Sequence, residues 1–267
     1  MQGFSYHRPT SVAEAVVLLR SEGASGIAGG MSLLPVMKHR LATPSALVDL
    51  SGIASLGGID MDGETLTIGA MVRHVAVAES PVVAAAIPAL ASLAAGIGDP
   101  AVRNRGTIGG VLANADPSAD YPAAVVALGA TIVTDRREIA GDAMFTGLFG
   151  TALAPGELIV AVKFPVPLAA AYAKFRSPAS RYAIVGVFVA RFSGGVRVAV
   201  TGAAPSVFRV PEMEAALSAR FDPVAIAGIA IPPDGLNGDI HAEPAFRAHL
   251  VGVMAARAVA TASSGAA

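Results

Sequence analysis

Two glycine pairs about eighty positions apart constrain this chain more than any other feature: Ala28-Gly29-Gly30-Met31-Ser32 and Thr107-Ile108-Gly109-Gly110. Glycine lets backbone N–H groups approach anionic oxygens with no Cβ in the way, and a following helix start adds further donors and partial positive charge. Each loop alone is as consistent with a plain turn as with a phosphate cradle. Together, on a mixed α/β chain, they suit the clamping of one pyrophosphate. No G-x-G-x-x-G stands between a strand and a helix, and no Walker A loop is present, so a dinucleotide would be held in another way.

The chain has 267 residues, enough for one large domain or two to three smaller ones. Its formal net charge of −1, with no basic block, gives little support to a nucleic-acid or acidic-membrane partner. There is no cysteine, which excludes disulfides, a thiolate nucleophile, Cys-ligated zinc and a Cys-ligated iron–sulfur cluster within this chain; any such redox centre must sit in another subunit. His7, His39, His74, His241 and His249 show no i,i+4 pairing, so no metal site is expected. Met1 to Thr10 does not read as a secretory signal, and a cytoplasmic protein is expected. The uncharged stretch Ser80 to Gly98 is nearly long enough to cross a bilayer, but Pro88, Ser92 and its alanines favour two buried helices meeting at Pro88, with no integral membrane segment.

Along the chain, Ser11 and Glu14 form a capping-box pattern before a helix that Gly23 stops. A strand at Ser25 to Ala28, a helix capped by Ser32 and a strand at Ala46 to Leu50 complete a β-α-β-like unit. Asp62-Gly63 signals a hairpin, and Thr65 to Ile68 alternates with period two. A helix is predicted from Pro117 to Leu128, with Asp116 as its N-cap, and strands at Thr131 to Thr134 and Leu158 to Phe164. Pro165 and Pro167 mark a boundary. Strands follow at Tyr172 to Phe175, Ile184 to Phe192 and Val196 to Thr201, then helices at Pro211 to Arg220, Pro223 to Ala230 and Pro244 to Thr261, with a frayed tail beyond Ser263. The expected division is 1–55, 56–168 and 169–267.

The segment Ala28 to Lys38 with Leu47 to Leu50, and the segment Val102 to Gly110 with Leu112 to Asp120, resemble the two FAD loops of the flavoprotein subunits of the xanthine dehydrogenase and aerobic carbon monoxide dehydrogenase family. Pro155 to Ile159, Lys174 to Arg176 and Tyr182 to Gly186 extend the resemblance over nearly the whole chain; His241 to Arg257 fits more loosely. The resemblance implies an α+β FAD-binding fold of the vanillyl-alcohol oxidase and p-cresol methylhydroxylase type. Two FAD-binding lobes are followed by a C-terminal antiparallel sheet with helices.

Carried over residue by residue, the resemblance places Ala28, Gly29, Gly30, Met31, Ser32 and Leu33 with Thr107, Ile108, Gly109, Gly110 and Asn114 about the cofactor, the two loops surrounding the pyrophosphate. Asp120 matches an aspartate near the ribityl chain, where a carboxylate accepts hydrogen bonds from hydroxyls. Asp116 is included, although the role of helix N-cap before Pro117 reads better for it. Ile159, Lys174 and Tyr182 match positions beside the isoalloxazine, where a lysine would stabilise the reduced ring. Arg103 and Arg105 suit either the pyrophosphate or surface pairing. Met31 stands where some relatives have histidine; it cannot form a histidyl link, so noncovalent FAD is expected. Arg181 stands where acidic or small residues are common.

The function implied is that of an electron-transfer subunit without acid–base residues of its own. FAD takes electrons from a [2Fe–2S] small subunit, which receives them from a molybdenum-cofactor large subunit, and passes them to an external acceptor; a dimer of heterotrimers is the expected assembly. The alternatives are a free-standing FAD-dependent oxidase or dehydrogenase of small molecules, for which no general-base constellation stands out, and a scaffold that has lost its cofactor.

Overall fold

A computed structural model describes residues 2–265. The first lobe contains β1 (Ser5–His7), α1 (Val12–Leu19), β2 (Ala24–Ile27), α2 (Leu33–Lys38) and β3 (Ala46–Asp49). Its three strands are parallel in the order β1-β3-β2. Ser11 Oγ accepts from Glu14 N at 3.2 Å, while the Glu14 carboxylate accepts from Thr10 N at 3.0 Å, one residue before the capping-box partner. Gly23 takes φ +73° beyond the helix end. Ser32 departs from expectation: it stands at the N-cap of α2 with helical backbone and makes no side-chain cap bond. β1 escapes a pattern-based reading because all three of its residues are exposed.

The second lobe opens with the expected hairpin, β4 (Ile59–Asp62) and β5 (Thr65–Gly69), turning at Gly63 with φ +56°. Then come α3 (His74–Glu79), α4 (Pro81–Ala86), α5 (Pro88–Ala95), α6 (Pro100–Arg105), α7 (Ile108–Asn114) and α8 (Tyr121–Ala127). Ser80 Oγ caps α4 by accepting from Val83 N at 3.3 Å, and proline at N1 starts α4, α5 and α6 alike. Ile87, just before Pro88, leaves the helical region and divides α4 from α5 as expected. The lobe continues through β6 (Thr131–Thr134), β7 (Glu138–Ala140), α9 (Gly141–Met144), β8 (Phe145–Gly147), β9 (Gly150–Thr151) and β10 (Ile159–Pro165). The antiparallel order β4-β5-β10-β6-β7 puts the last long strand at the centre. Leu66, Ile68, Leu90, Leu93, Tyr121 and Phe164 fill the core between sheet and helices.

Two expectations fail in this lobe. The helix starts at Tyr121, not Pro117, because the carbonyls of Pro117, Ser118 and Ala119 accept hydrogen bonds from the C-terminal region. Asp116 therefore caps no helix; its Oδ1 accepts from Ser118 N at 2.8 Å in a turn of its own.

Between β9 and β10, the enclosed Glu157 carboxylate accepts from Arg137 Nε and Nη2 at 2.9 and 3.0 Å, Thr134 Oγ1 at 2.8 Å and Ala154 N at 2.7 Å. The Arg137 hydrogen bond leads the effects that hold its pKa at about 2, below the usual 4.5. A carboxylate depressed in the folded chain contributes stability above pH 4.5 that is lost as pH falls toward about 2. Glu157→Gln is expected to lower stability at neutral pH and to flatten the acid limb across that window. Urea denaturation at a series of pH values checks this; parallel limbs for variant and parent would count against it.

The C-terminal region pairs β11 (Ala169–Arg176), β12 (Ala183–Phe192), β13 (Gly195–Thr201) and β14 (Phe208–Arg209) in sequential antiparallel order. α10 (Pro211–Ala219) and α11 (Pro244–Ser263) follow. The helix expected over Pro223 to Ala230 shrinks to a 3-10 turn at Pro223–Ile226, capped by Asp222 and followed by Gly228. Of the expected frayed tail, Ser264 and Gly265 form a turn and the remainder lies outside the described residues. β12 is buried on both faces: Phe188 and Ala190 join the second-lobe core, while Val185, Val187 and Val189 pack with Leu250, Val251 and Met254 of α11. No helix among the described residues is long and apolar enough to cross a membrane.

Candidate functional site

The two glycine loops meet. A Cβ on Gly29 would overlap the Arg105 carbonyl oxygen and lie 2.7 Å from its carbon and 2.8 Å from Gly106 Cα. Backbone therefore packs directly on backbone where α6 runs into the second loop. A Cβ on Gly110 would sit 3.5 Å from that of Ala28, and one on Gly109 would collide with Ala70 at 2.6 Å. The glycines set how closely the lobes approach.

The loops differ in the donors they leave free. Among the described residues, the N–H groups of Gly29, Gly30, Met31 and Ser32 donate to no protein acceptor. In the second loop, Ile108 N donates to Val72 O at 3.1 Å, Gly109 N to Ala70 O at 2.9 Å and Gly110 N to Thr107 Oγ1 at 3.2 Å. Its glycines thus serve mainly close packing, and the donors it keeps for a ligand, among the described residues, are the Thr107 N–H and the Thr107 hydroxyl, whose oxygen already accepts from Gly110. The partners of the Ile108 and Gly109 amides lie on the segment after β5, which carries no motif that announces them.

From this junction runs a cavity of about 520 Å³, within the range of about 300–1,000 Å³ usual for small-molecule sites. It is lined by every sequence candidate except Ile108 and Lys174. Ile108 faces the core, fully buried. Lys174, expected beside a flavin ring, bonds Asp120 Oδ1 at 2.9 Å, Asp120 Oδ2 at 3.1 Å and Gly96 O at 3.0 Å. Tyr172 adds a 2.6 Å bond to Asp120 Oδ1. Burial raises the Asp120 pKa, and the charge of Lys174 and the bond from Tyr172 oppose that rise. Lys174 and Tyr172 thus hold the carboxylate in one orientation, buried in the wall.

Asp116 stands beside it, after Ala115, which adopts left-handed backbone at φ 47° without being glycine, a conformation that costs about 1–2 kcal/mol. Tyr182 is half-exposed at the cavity; burial and then the carboxylates of Asp116 and Asp120 push its hydroxyl pKa upward. Arg181, with φ 63°, reaches across so that Nη1 donates to Gly98 O at 3.4 Å. Arg103 donates to Ile97 O at 2.9 Å and Gly98 O at 3.1 Å, which spends it on the wall and leaves any pyrophosphate to other groups.

Sequence reasoning missed several lining residues. His74 is 1% exposed, and burial, with a smaller contribution from Arg103, lowers its pKa to about 4, so the imidazole is neutral at pH 7. Its ring lies 5.4 Å from that of Tyr121, and its Nδ1 has no partner. Nothing in its neighbours signals this position. Ile97 and Gly98 were findable, since Gly98-Asp99-Pro100 is a turn leading into a capped helix. Among the described residues no group of three or more His, Asp or Glu is placed to hold a metal ion.

Two converging backbone loops with an elongated cavity between lobes define a dinucleotide-binding chain, and comparison supplies which dinucleotide. The family model for the FAD binding domain in molybdopterin dehydrogenase matches residues 2–167. The carbon monoxide dehydrogenase medium chain of Hydrogenophaga pseudoflava is 37% identical over 270 residues, covering 93% of this chain and 94% of that one. The nicotine 6-hydroxylase medium subunit of Paenarthrobacter nicotinovorans is 37% identical over 225 residues, covering 80% and 79%. A chain of quinoline 2-oxidoreductase from Pseudomonas putida 86 superposes with a TM-score of 0.91 at 31% identity, covering 99% of this chain and 98% of that one. The chain belongs to the FAD-binding medium subunits of the xanthine dehydrogenase and carbon monoxide dehydrogenase family of molybdenum hydroxylases. It is the FAD-binding electron-transfer subunit of such a complex.

Proposed function

We propose that this subunit holds FAD noncovalently in the 520 Å³ cavity, receives electrons from a [2Fe–2S] small subunit served by a molybdenum-cofactor large subunit, and hands them to an external acceptor. When bound, FAD supplies the redox chemistry. The chain's own groups bind, orient and shield. The free N–H groups of Gly29 to Ser32 and the Thr107 hydroxyl meet the pyrophosphate; Ala28, Leu33, Gly109, Gly110 and Asn114 shape the wall around it. Asp120 accepts from ribityl hydroxyls, and Ile159 and Tyr182 border the ring. Lys174 acts at one remove, through Asp120. Met31 offers no nucleophile for a histidyl-type tether.

The observation that carries this reading is the contact of Gly29 with Arg105 and Gly106, beside a run of main-chain donors that no group among the described residues uses. The expected assembly is a cytoplasmic dimer of heterotrimers. Purification from a host that supplies the neighbouring subunits tests it: flavin absorption released by acid without a covalent adduct, together with iron and molybdenum in the same fraction, is the expected result. A colourless chain would leave only a scaffold, and turnover of an organic substrate by the isolated flavoprotein would favour a free-standing oxidase or dehydrogenase.

A further inference from the structure

The wall segment from Asp116 to Asp120 is held almost entirely by the C-terminal region. Pro117 O accepts from Gly202 N at 2.8 Å and faces Thr201 Oγ1 at 3.0 Å, and Ser118 O accepts from Ala183 N at 3.3 Å. Ala119 O lies 2.7 Å from Thr201 Oγ1, the shorter of the two carbonyl contacts open to that single hydroxyl proton. Thr201 is fully buried. The Asp120 side chain is fixed from the same sheet: Lys174, Gly186 and Thr201 lie side by side across β11, β12 and β13. Gly186 leaves the space that the Tyr172 hydroxyl occupies, since a Cβ there would overlap it and lie 2.8 Å from Cζ.

We propose that Thr201 and Tyr172 are positioning residues which, through Pro117 to Asp120, make the site prefer a flavin dinucleotide over a plain nucleoside diphosphate. The inference rests on the FAD reading above and deepens it. The cavity has two chemically distinct parts. The glycine loops offer N–H donors, which recognise a diphosphate in any nucleotide. The Asp116–Asp120 wall offers a carboxylate acceptor, with Tyr182 near enough to feel both its charges and Arg181 spanning to Gly98. Such a wall rewards a hydroxylated chain leading to a ring, and ADP carries neither beyond its diphosphate. Thr201 and Tyr172 point their hydroxyls at the wall from behind, so each acts on ligand only through the wall's geometry.

Isothermal titration of the full chain, stripped of cofactor, with FAD and separately with ADP tests this on the parent, Thr201→Val, Thr201→Ser and Tyr172→Phe. Loss of one hydrogen bond that fixes the acceptor wall weakens FAD binding by about tenfold, a factor that corresponds to about 1.4 kcal/mol. The expected result is that loss for Thr201→Val and Tyr172→Phe, with ADP affinity changed less than about twofold and FAD affinity restored in Thr201→Ser. Parallel losses for FAD and ADP would reduce the two residues to general fold support, and unchanged FAD affinity would remove them from the site; either overturns the proposal while leaving the FAD reading in place. A parent chain that binds ADP but not FAD strikes down that reading and the proposal together. Should Thr201→Val fail to fold, Tyr172→Phe, which keeps the ring and loses only the hydroxyl, decides by the same comparison.

Discussion

Gly29→Ala is expected to weaken FAD binding by about a hundredfold, equivalent to about 2.7 kcal/mol. The new methyl group overlaps a main-chain carbonyl, that of Arg105, and lies 2.8 Å from Gly106 Cα. Neither can swing aside as a side-chain tip would, so one loop must move off the other. That movement carries the free donors of Gly29 to Ser32 away from the junction. Gly30→Ala provides the contrast. There the Cβ meets the flexible end of Leu34 at 2.9 Å, and the main cost is left-handed backbone at φ +73°, about 1 kcal/mol. Titration with FAD, with circular dichroism to verify folding, measures both. A Gly29→Ala chain that binds within threefold of the parent would mean that the loop junction does not govern the site.

Arg247→Met is expected to destabilise the chain by about 2–4 kcal/mol, most of it the cost of enclosed carbonyls losing a charged donor. Arg247 is 3% exposed in the middle of the C-terminal core, and its Nη1 donates to Ile184 O at 2.6 Å and Gly202 O at 3.0 Å. Nη2 reaches Asp239 at 2.7 Å and ties the loop before α11 to the sheet. Methionine fills part of the volume but takes the Nη1 donor from Ile184 O and leaves Gly202 O with only Asn237 Nδ2 at 3.4 Å, and an enclosed carbonyl that loses its donor costs about 1–3 kcal/mol. Urea denaturation followed by circular dichroism gives the difference directly. A loss below about 1 kcal/mol would show that water replaces the guanidinium at little cost.

These residues also mark the limit of what is legible in the sequence. The glycine loops, the Asp62-Gly63 hairpin and the proline-punctuated helices about Ile87 could be read because each is a local device, a backbone freedom or restriction written in one or two side chains. Pro117 misleads for the converse reason. After an aspartate it looks like the first residue of a helix, but distant donors on Thr201, Gly202 and Ala183 take the carbonyls that a helix would have used. Lys174 shows the same limit: its strand was readable, its ion pair with Asp120, 54 positions away, was not. His74 had no signature at all, since its environment is made by Arg103 and Gly106 at the end of α6 and by Tyr121 on α8.

The two-sided burial of β12 has a consequence for the whole molecule. A strand whose alternate residues belong to different cores leaves no seam along which the chain can come apart: Phe188 and Ala190 complete one interior, and Val187 and Val189 the other. The second lobe and the C-terminal region thus lack a finished exterior of their own, while the first lobe keeps a core around Ala15, Val48 and Leu50. Heat or denaturant must undo both halves in one cooperative step, and a ligand gripped near the N-terminus lends its binding energy to helices at the opposite end of the polypeptide.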